Sequence, residues 1–251
     1  MRSIQLTIVV LTAVTALALA STAHAASIVI VTPNANATVE GNSGNSFPFG
    51  SSNHRYQQIY GAEAFTALPG PSSLETIAFR PNGANTSVLG SNLGKAFSGI
   101  YSMTLSLSTS PFTPDNLPST FAAAHGPADL TQVIDGHALS SSFTGPAGGP
   151  KDFDVILTLE SPFTYDPAQG SLLIDVRIFG VSEDLGGFFD SQVTTGDSVS
   201  RSWVQNYNSG GGNRDTTALV TQFTFTPGIP APAAWAAAPL LGALALRRRH
   251  H

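Results

Sequence analysis

Three carboxylates in the middle of the chain could form the acid pair of a glycoside hydrolase. Asp152 and Asp154 are two residues apart, so both lie on one side of a strand, and we expect Asp175 on the neighbouring strand. A glycosidase needs two such acids about 5 to 9 Å apart across a cleft. The apolar Phe153 and Val155 alternate with these acids and favour the opposite, inward direction. We therefore predict a solvated outer face for Asp152 and Asp154, with an acid-pair hydrolase as the alternative.

A second group of acids, Glu183, Asp184 and Asp190, surrounds the glycines at 186 and 187 in a predicted loop. Clustered carboxylate oxygens are the ligands that calcium prefers in proteins. The spacing matches no EF-hand loop, so the interpretation we favour is an ordinary acidic loop without a cofactor. A calcium site is the alternative interpretation.

Two aromatic residues late in the chain could bind sugar. Trp203 and Tyr207 flank Gln205 and Asn206 and so combine flat ring surfaces with amide groups. Rings stack on the apolar faces of sugars while amides bond to hydroxyl groups. Core packing of the two rings is the interpretation we favour, and a shallow carbohydrate site at Trp203 and Tyr207 is the alternative.

The sequence lacks the residue patterns that other kinds of catalytic site require. The region between the two chain ends contains three histidines, His54, His125 and His137, and none has a neighbour at the spacing of a zinc site. We expect each of them in solvent or in a turn. Because no Gly-x-Ser-x-Gly sequence occurs, we assign no serine a catalytic role. The prediction is a protein that is not an enzyme and has no metal site.

Charge and cysteine content exclude further classes of function. The chain has no cysteine, which rules out disulfides and thiolate metal sites. Residues 26–228 contain seven basic and 16 acidic side chains, a net charge of −9. Such a balance disfavours nucleic acid or an anionic membrane as a partner of the folded region.

Alternation of apolar and polar residues predicts the strands that must position these groups. In residues 101–107 the side chains Tyr101, Met103, Leu105 and Leu107 share one face. Residues 153–159 and 171–179 repeat the pattern, and the turn at 166–170 between them predicts an antiparallel pair. The last strand is predicted at residues 219–225.

Shorter patterns complete the predicted fold. Further strands are expected at residues 27–31, 54–60, 74–79, 130–134, 139–143, 188–193 and 198–204, with one short helix within 115–125. About a dozen short strands separated by polar turns are typical of an all-β, two-sheet antiparallel sandwich with a jelly-roll-like arrangement. We place this domain at residues 26–225.

The first 25 residues have the composition of a signal peptide. A basic residue near the start is followed by an apolar stretch, and Ala23 and Ala25 supply the small side chains that signal peptidase needs. This pattern predicts export, with a terminal signal helix that is cleaved after Ala25. An uncleaved anchor helix is the alternative.

Residues 226–251 form a tail of three parts. A proline-rich hinge precedes an apolar segment at 233–246, predicted as a helix, and an arginine cluster ends the tail. The apolar segment has 14 residues, fewer than the roughly 20 that span a bilayer, and its arginines are expected to stay in the cytoplasm. The membrane is therefore expected to be a partner only through this tail. The hinge motif comprises Ile229, Pro230, Ala231 and Pro232, and the cluster comprises Arg247, Arg248 and Arg249.

This tail resembles the PEP-CTERM sorting signal of exported bacterial proteins, although Ala231 replaces the central Glu of that pattern. The resemblance implies that an exosortase-type enzyme processes the tail near the hinge motif and passes the domain to the cell surface or extracellular matrix. It also implies extracellular polysaccharide as a partner. A tail that stays in the membrane unprocessed is the alternative.

Together these patterns favour an exported, non-enzymatic surface or matrix protein. A carbohydrate-binding sandwich module is the alternative function, and a glycoside-active enzyme is a further one.

Overall fold

The computed structural model describes residues 26–83, 93–126 and 129–228, and these residues form an antiparallel all-β structure. The strands, numbered β1 to β13 in chain order, are Ile28–Thr32, Ser43–Asn45, His54–Tyr60, Ser72–Phe79, Phe97–Ser110, Thr131–Ser141, Val155–Tyr165, Ser171–Glu183, Phe189–Val193, Val199–Val204, Asn213–Asp215, Thr217–Leu219 and Thr221–Pro227. The one α-helix of the described residues, α1, is the single turn Phe121–Ala124. Short 3-10 turns lie at Asn34–Asn36, Ala62–Phe65 and Pro167–Gln169. The all-β prediction is confirmed.

The strands form three antiparallel sheets. One has four strands in the order β1-β13-β4-β7, and the largest has six in the order β11-β10-β3-β8-β5-β6. A small third sheet has the order β12-β9-β2. In the four-stranded sheet the first and last strands are neighbours, with Ile28 opposite Phe225.

The core lies between the four-stranded and six-stranded sheets. The predicted inward face of β5 is confirmed, because Tyr101, Met103, Leu105 and Leu107 are all buried. The alternating residues of β8 from Leu172 to Ile178 are buried in the same way. Each fully buried side chain of this size contributes about 1.5–3 kcal/mol through removal of apolar surface from water.

Aromatic rings join the two layers. Phe223 of β13 contacts the edge of Tyr60 of β3 with ring centroids 4.8 Å apart, and it lies 5.5 Å from Phe65. Phe65 also packs edge-on against Tyr165 at 5.0 Å. These contacts fix the two sheets face to face, as in a sandwich.

The predicted pairing of residues 153–159 with 171–179 is wrong. β7 pairs with β4 in the four-stranded sheet, whereas β8 lies between β3 and β5 in the six-stranded sheet. The turn at 166–170 therefore carries the chain from one layer to the other. Alternation predicts that each strand has a buried face, but two strands that face each other across a core show the same alternation as two that pair in one sheet.

Smaller differences concern strand and helix ends. The strands predicted at 130–134 and 139–143 form the continuous strand β6, and the helix predicted within 115–125 is only α1. The short strands β2, β11 and β12 were not predicted. Strands of three residues are too short to show a periodic pattern.

The predictions for the chain ends fall largely outside the described residues. These include the signal peptide at 1–25 with Ala23 and Ala25, and the tail from residue 229 onward with its hinge motif and arginine cluster. Within the described ranges, no helix has the length and apolar character needed to cross a membrane.

Candidate functional site

Polar side chains cross the outer face of the six-stranded sheet, the face directed away from the core. Residues opposite each other on neighbouring strands share a face, so register places them in rows. One row runs from Arg55 on β3 through Arg177 on β8 to Thr104 on β5. The next row contains Gln57, Asp175, Ser106 and Gln132, from β3 to β6.

The segment between β5 and β6 folds over one end of this face. Leu117 and Ala124 from that segment form a small apolar cluster with Ile59 and Leu173 of the sheet. The cluster fixes α1 against the sheet and so brings His125, the residue after the helix, above the polar rows.

A buried hydrogen-bond network centres on Asp175. Arg55 donates from Nε to Oδ1 at 3.0 Å and from Nη2 to Oδ2 at 2.5 Å, and Gln57 donates to Oδ2 at 2.8 Å. Nε2 of His125 lies 3.0 Å from the same oxygen. Burial opposes ionisation of Asp175, but the hydrogen bonds from His125 and Arg55 and the charge of Arg55 outweigh it and lower the pKa to about 2. Asp175 is therefore a carboxylate whose charge is compensated inside the protein.

Ser108 continues this network behind His125, with its Oγ 2.8 Å from Nδ1 of the imidazole. Ser108, His125 and Asp175 thus follow one another as in a serine-hydrolase triad, but with the two imidazole nitrogens exchanged, because a triad serine bonds Nε2 and its acid bonds Nδ1. The nucleophile of such an enzyme must reach substrate, but Ser108 is 0% exposed. The arrangement holds α1 on the sheet and gives His125 a fixed orientation at the surface of the network.

The prediction of a solvated or turn histidine is wrong for His54, whereas His125 lies in a bend after α1 but has its side chain out of solvent. His125 is buried in the network, and His54 is fully buried on β3. No local pattern marked His125, because Gln57, Ser108 and Asp175 are distant from it in sequence and meet it only in the folded chain.

An open pocket of about 520 Å³ lies beside the network. Its charged and ionisable lining residues are Arg55, His125, Asp175 and Arg177. Thr104, Ser106 and Gln132 supply further polar groups, and within the described ranges none of their side chains forms a hydrogen bond. The remaining lining residues are small or apolar: Ala122, Gly126 and Leu130.

An aromatic pair continues the same face beyond Arg177. Phe179, two residues further along β8, is 40% exposed, and Tyr207 packs edge-on against it with ring centroids 4.9 Å apart. One of the two aromatics considered for sugar binding, Tyr207, therefore contacts the sheet face that carries the pocket.

Trp203 lies elsewhere. It is opposite Tyr56, packs against the core, and stacks on Phe47 with ring centroids 4.7 Å apart. Its Nε1 donates to Asp215 at 3.2 Å. The structure does not bring Trp203 and Tyr207 together, because strand alternation directs Trp203 to the inner side of β10. For Trp203 the favoured interpretation, core packing, describes the structure.

The three acids considered as calcium ligands also lie apart in the structure. Asp184 pairs with Lys95 at the surface, and Asp190 is buried against Arg80 with a hydrogen bond of 2.7 Å. Glu183 is exposed at the end of β8. In the described part of the chain no group of three or more acidic, histidine or cysteine residues is arranged to hold a metal ion.

The three carboxylates of the hydrolase alternative do not converge. Asp152 is exposed and Asp154 accepts a hydrogen bond from the amide of Ser142 at 2.8 Å, both just before β7. Asp175 belongs to the other large sheet. The solvated position predicted for Asp152 agrees with this placement, whereas Asp154 is half-buried and both acids precede β7 instead of lying on one of its faces.

Comparison with known proteins adds no relative. No protein family, curated protein or solved structure matches this chain.

Proposed function

We propose that this protein is exported to the cell surface or extracellular matrix and binds saccharide there without enzymatic activity. The observation that carries the saccharide part is the outer-face pocket beside His125 and Arg177. Its hydroxyl and amide side chains at 104, 106 and 132 are unused within the described structure and suit a ligand rich in hydroxyl groups. The exposed ring of Phe179 adds an apolar surface on the same sheet face, beyond Arg177.

The export part rests on the two chain ends. The composition of residues 1–25 supports cleavage by signal peptidase after Ala25. The hinge motif and Arg247–Arg249 support a PEP-CTERM-like tail that is processed by an exosortase-type enzyme. In this proposal the domain is a jelly-roll-like two-layer sandwich between a signal helix and an apolar C-terminal helix, and the membrane holds it only transiently.

Calorimetric titration and a glycan array with the full chain in mild detergent test the saccharide proposal. We expect measurable binding to at least one oligosaccharide class, and we expect Ser106→Phe to abolish it because the ring fills the pocket. Ser98→Phe is the matched control, since Ser98 is exposed on the same strand but eight residues away. Absence of binding, or equal loss in both variants, would contradict the proposal.

Intact-mass measurement of the protein from its native host tests the export proposal. We expect loss of residues 1–25 and a new C-terminus near Pro230–Pro232. A cytosolic protein that keeps both ends would refute it.

A further inference from the structure

We propose that the outer-face pocket selects a saccharide carrying an isolated acidic group, such as one uronate unit among neutral sugars, and that Arg177 binds this carboxylate. The inference rests on the saccharide binding proposed above and names the class of sugar.

Arg177 differs from every other lysine and arginine of the described residues. Four of the others form ion pairs with carboxylates, and two donate to backbone carbonyls: Arg55, Arg80, Lys95 and Arg201 in the first group, Lys151 and Arg214 in the second. Arg177 has neither kind of partner within the described ranges, although it is half-buried and lines a pocket. The guanidinium of Arg177 therefore has no carboxylate partner within these ranges, although the domain contains 16 acidic side chains.

The carboxylate that lines the same pocket does not cancel that charge. Asp175 is on the same face of β8, two residues from Arg177, but it is only 4% exposed and both of its oxygens accept hydrogen bonds from Arg55. Because Arg55 and Asp175 neutralise each other, the charge presented to a ligand in the pocket is that of Arg177.

The shape of the charged group points to a carboxylate. A guanidinium presents a planar fork of N–H donors that matches the two oxygens of a carboxylate. Thr104 and Ser106 are on the neighbouring strand β5, opposite Arg177 and Asp175. Their hydroxyls can bond to the ring hydroxyls of the same sugar.

The surrounding charge limits the ligand further. The net charge of −9 on residues 26–228 repels a densely charged polymer over distances of about one Debye length, roughly 8–10 Å. A single acidic unit makes the short-range contact with Arg177 without the long-range repulsion. This favours a sparsely charged polysaccharide over a polyuronate or a nucleic acid.

The test compares ligands by calorimetry with the full chain. The probes are an oligosaccharide that ends in one glucuronate, its neutral analogue that ends in glucose, a polyuronate, and a short peptide with one glutamate. We expect the glucuronate probe to bind best, and Arg177→Gln to weaken it by about tenfold to a hundredfold, the usual effect of losing a charge-assisted pair. Binding of the neutral probe should change by less than about twofold, since it makes no such pair.

Lys95→Gln is the matched control. It removes the same charge from a surface ion pair just beyond the end of β8, roughly 20 Å from Arg177, so it should leave glucuronate binding unchanged. Thermal unfolding of Arg177→Gln should match that of the parent, because the side chain has no partner to lose.

The outcomes separate the two proposals. Equal binding of acidic and neutral sugars, or glucuronate binding that survives Arg177→Gln, overturns this inference and leaves saccharide binding in place. Stronger binding of the polyuronate or equal binding of the glutamate peptide also overturns it. Failure of every sugar overturns both proposals.

Discussion

At the scale of single residues, the structure depends on a few buried polar groups that satisfy one another. Asp175 and His125 are fifty residues apart in the chain, yet they share a hydrogen bond, and Arg55 of β3 binds the same carboxylate. Burial of such charges stabilises a fold only while every partner is present.

Replacement of Asp175 by Asn should therefore be strongly destabilising. Because Arg55 would remain buried without its counter-charge, we expect the free energy of unfolding in urea to fall by about 3–5 kcal/mol. Asp152→Asn removes the same charge from an exposed position and should change it by less than about 0.5 kcal/mol. Similar effects of the two variants would show that the ion pair between Arg55 and Asp175 adds nothing to stability.

Acid should reproduce part of this loss in the parent protein. The pKa of Asp175 is about 2 when folded against 3.8 for a free carboxyl, so its contribution is complete above the unfolded value and disappears as pH falls toward 2. That contribution is worth about 2 kcal/mol. Urea unfolding between pH 5 and pH 2 should show a shallower loss in Asp175→Asn than in the parent.

His54 should make stability depend on pH in a higher range than Asp175 does. Burial lowers its pKa below 6.5, and the carbonyls of Ser52 and Pro48 offset this only in part. The unfolded chain therefore takes up a proton before the folded chain does, so stability falls as pH drops below about 6.5. His54→Phe should flatten this dependence, whereas His137→Gln, at a partly exposed site, should leave it intact. Unfolding curves at pH 7.5, 6.5 and 5.5 check this.

At the scale of strands, the sequence was informative about faces but not about neighbours. Alternation in β5 and β8 located their buried sides because each core residue repeats every second position. It could not assign β7 and β8 to different sheets, since the choice depends on contacts across the core. The candidate site was predicted even less well: Tyr207 lies on the right face, but Arg177 and His125 were not selected, because only the register of distant strands places them together.

The crossing between β7 and β8 imposes a requirement on Gly170. Its φ is +139°, and a Cβ there would lie 2.5 Å from the carbonyl oxygen of Ser110. We expect Gly170→Ala to lower the free energy of unfolding by more than about 1 kcal/mol. Gly148→Ala, where a Cβ meets no atom within 4 Å, should have almost no effect. Equal unfolding midpoints for both variants would contradict this view of the turn.

At the scale of the whole molecule, one core joins all three sheets. Tyr60, Phe223 and Phe189 belong to different sheets but to a single cluster of buried apolar residues. The buried pair between Arg80 and Asp190 ties the small sheet to the end of β4.

Unfolding should consequently be a single cooperative transition. We expect far-UV circular dichroism and intrinsic fluorescence to give the same urea midpoint, because no sheet can lose its packing independently. Leu219→Ala, in the small sheet, should lower the free energy of unfolding by about 2–5 kcal/mol and shift the midpoints of both signals together. Ile100→Ala, at an exposed site on β5, should shift neither. Two separate midpoints would indicate that the small sheet unfolds independently.

The pairing of β1 with β13 has a consequence for how the domain can be rebuilt. Ile28 and Phe225 are register partners, so their Cα atoms are about 5 Å apart and the chain enters and leaves at one place. A short linker from residue 228 to residue 26, with new termini opened near Gly148, would preserve every strand pairing described above. Such a circular permutant should fold to the same sandwich while presenting its termini at a different place on the surface.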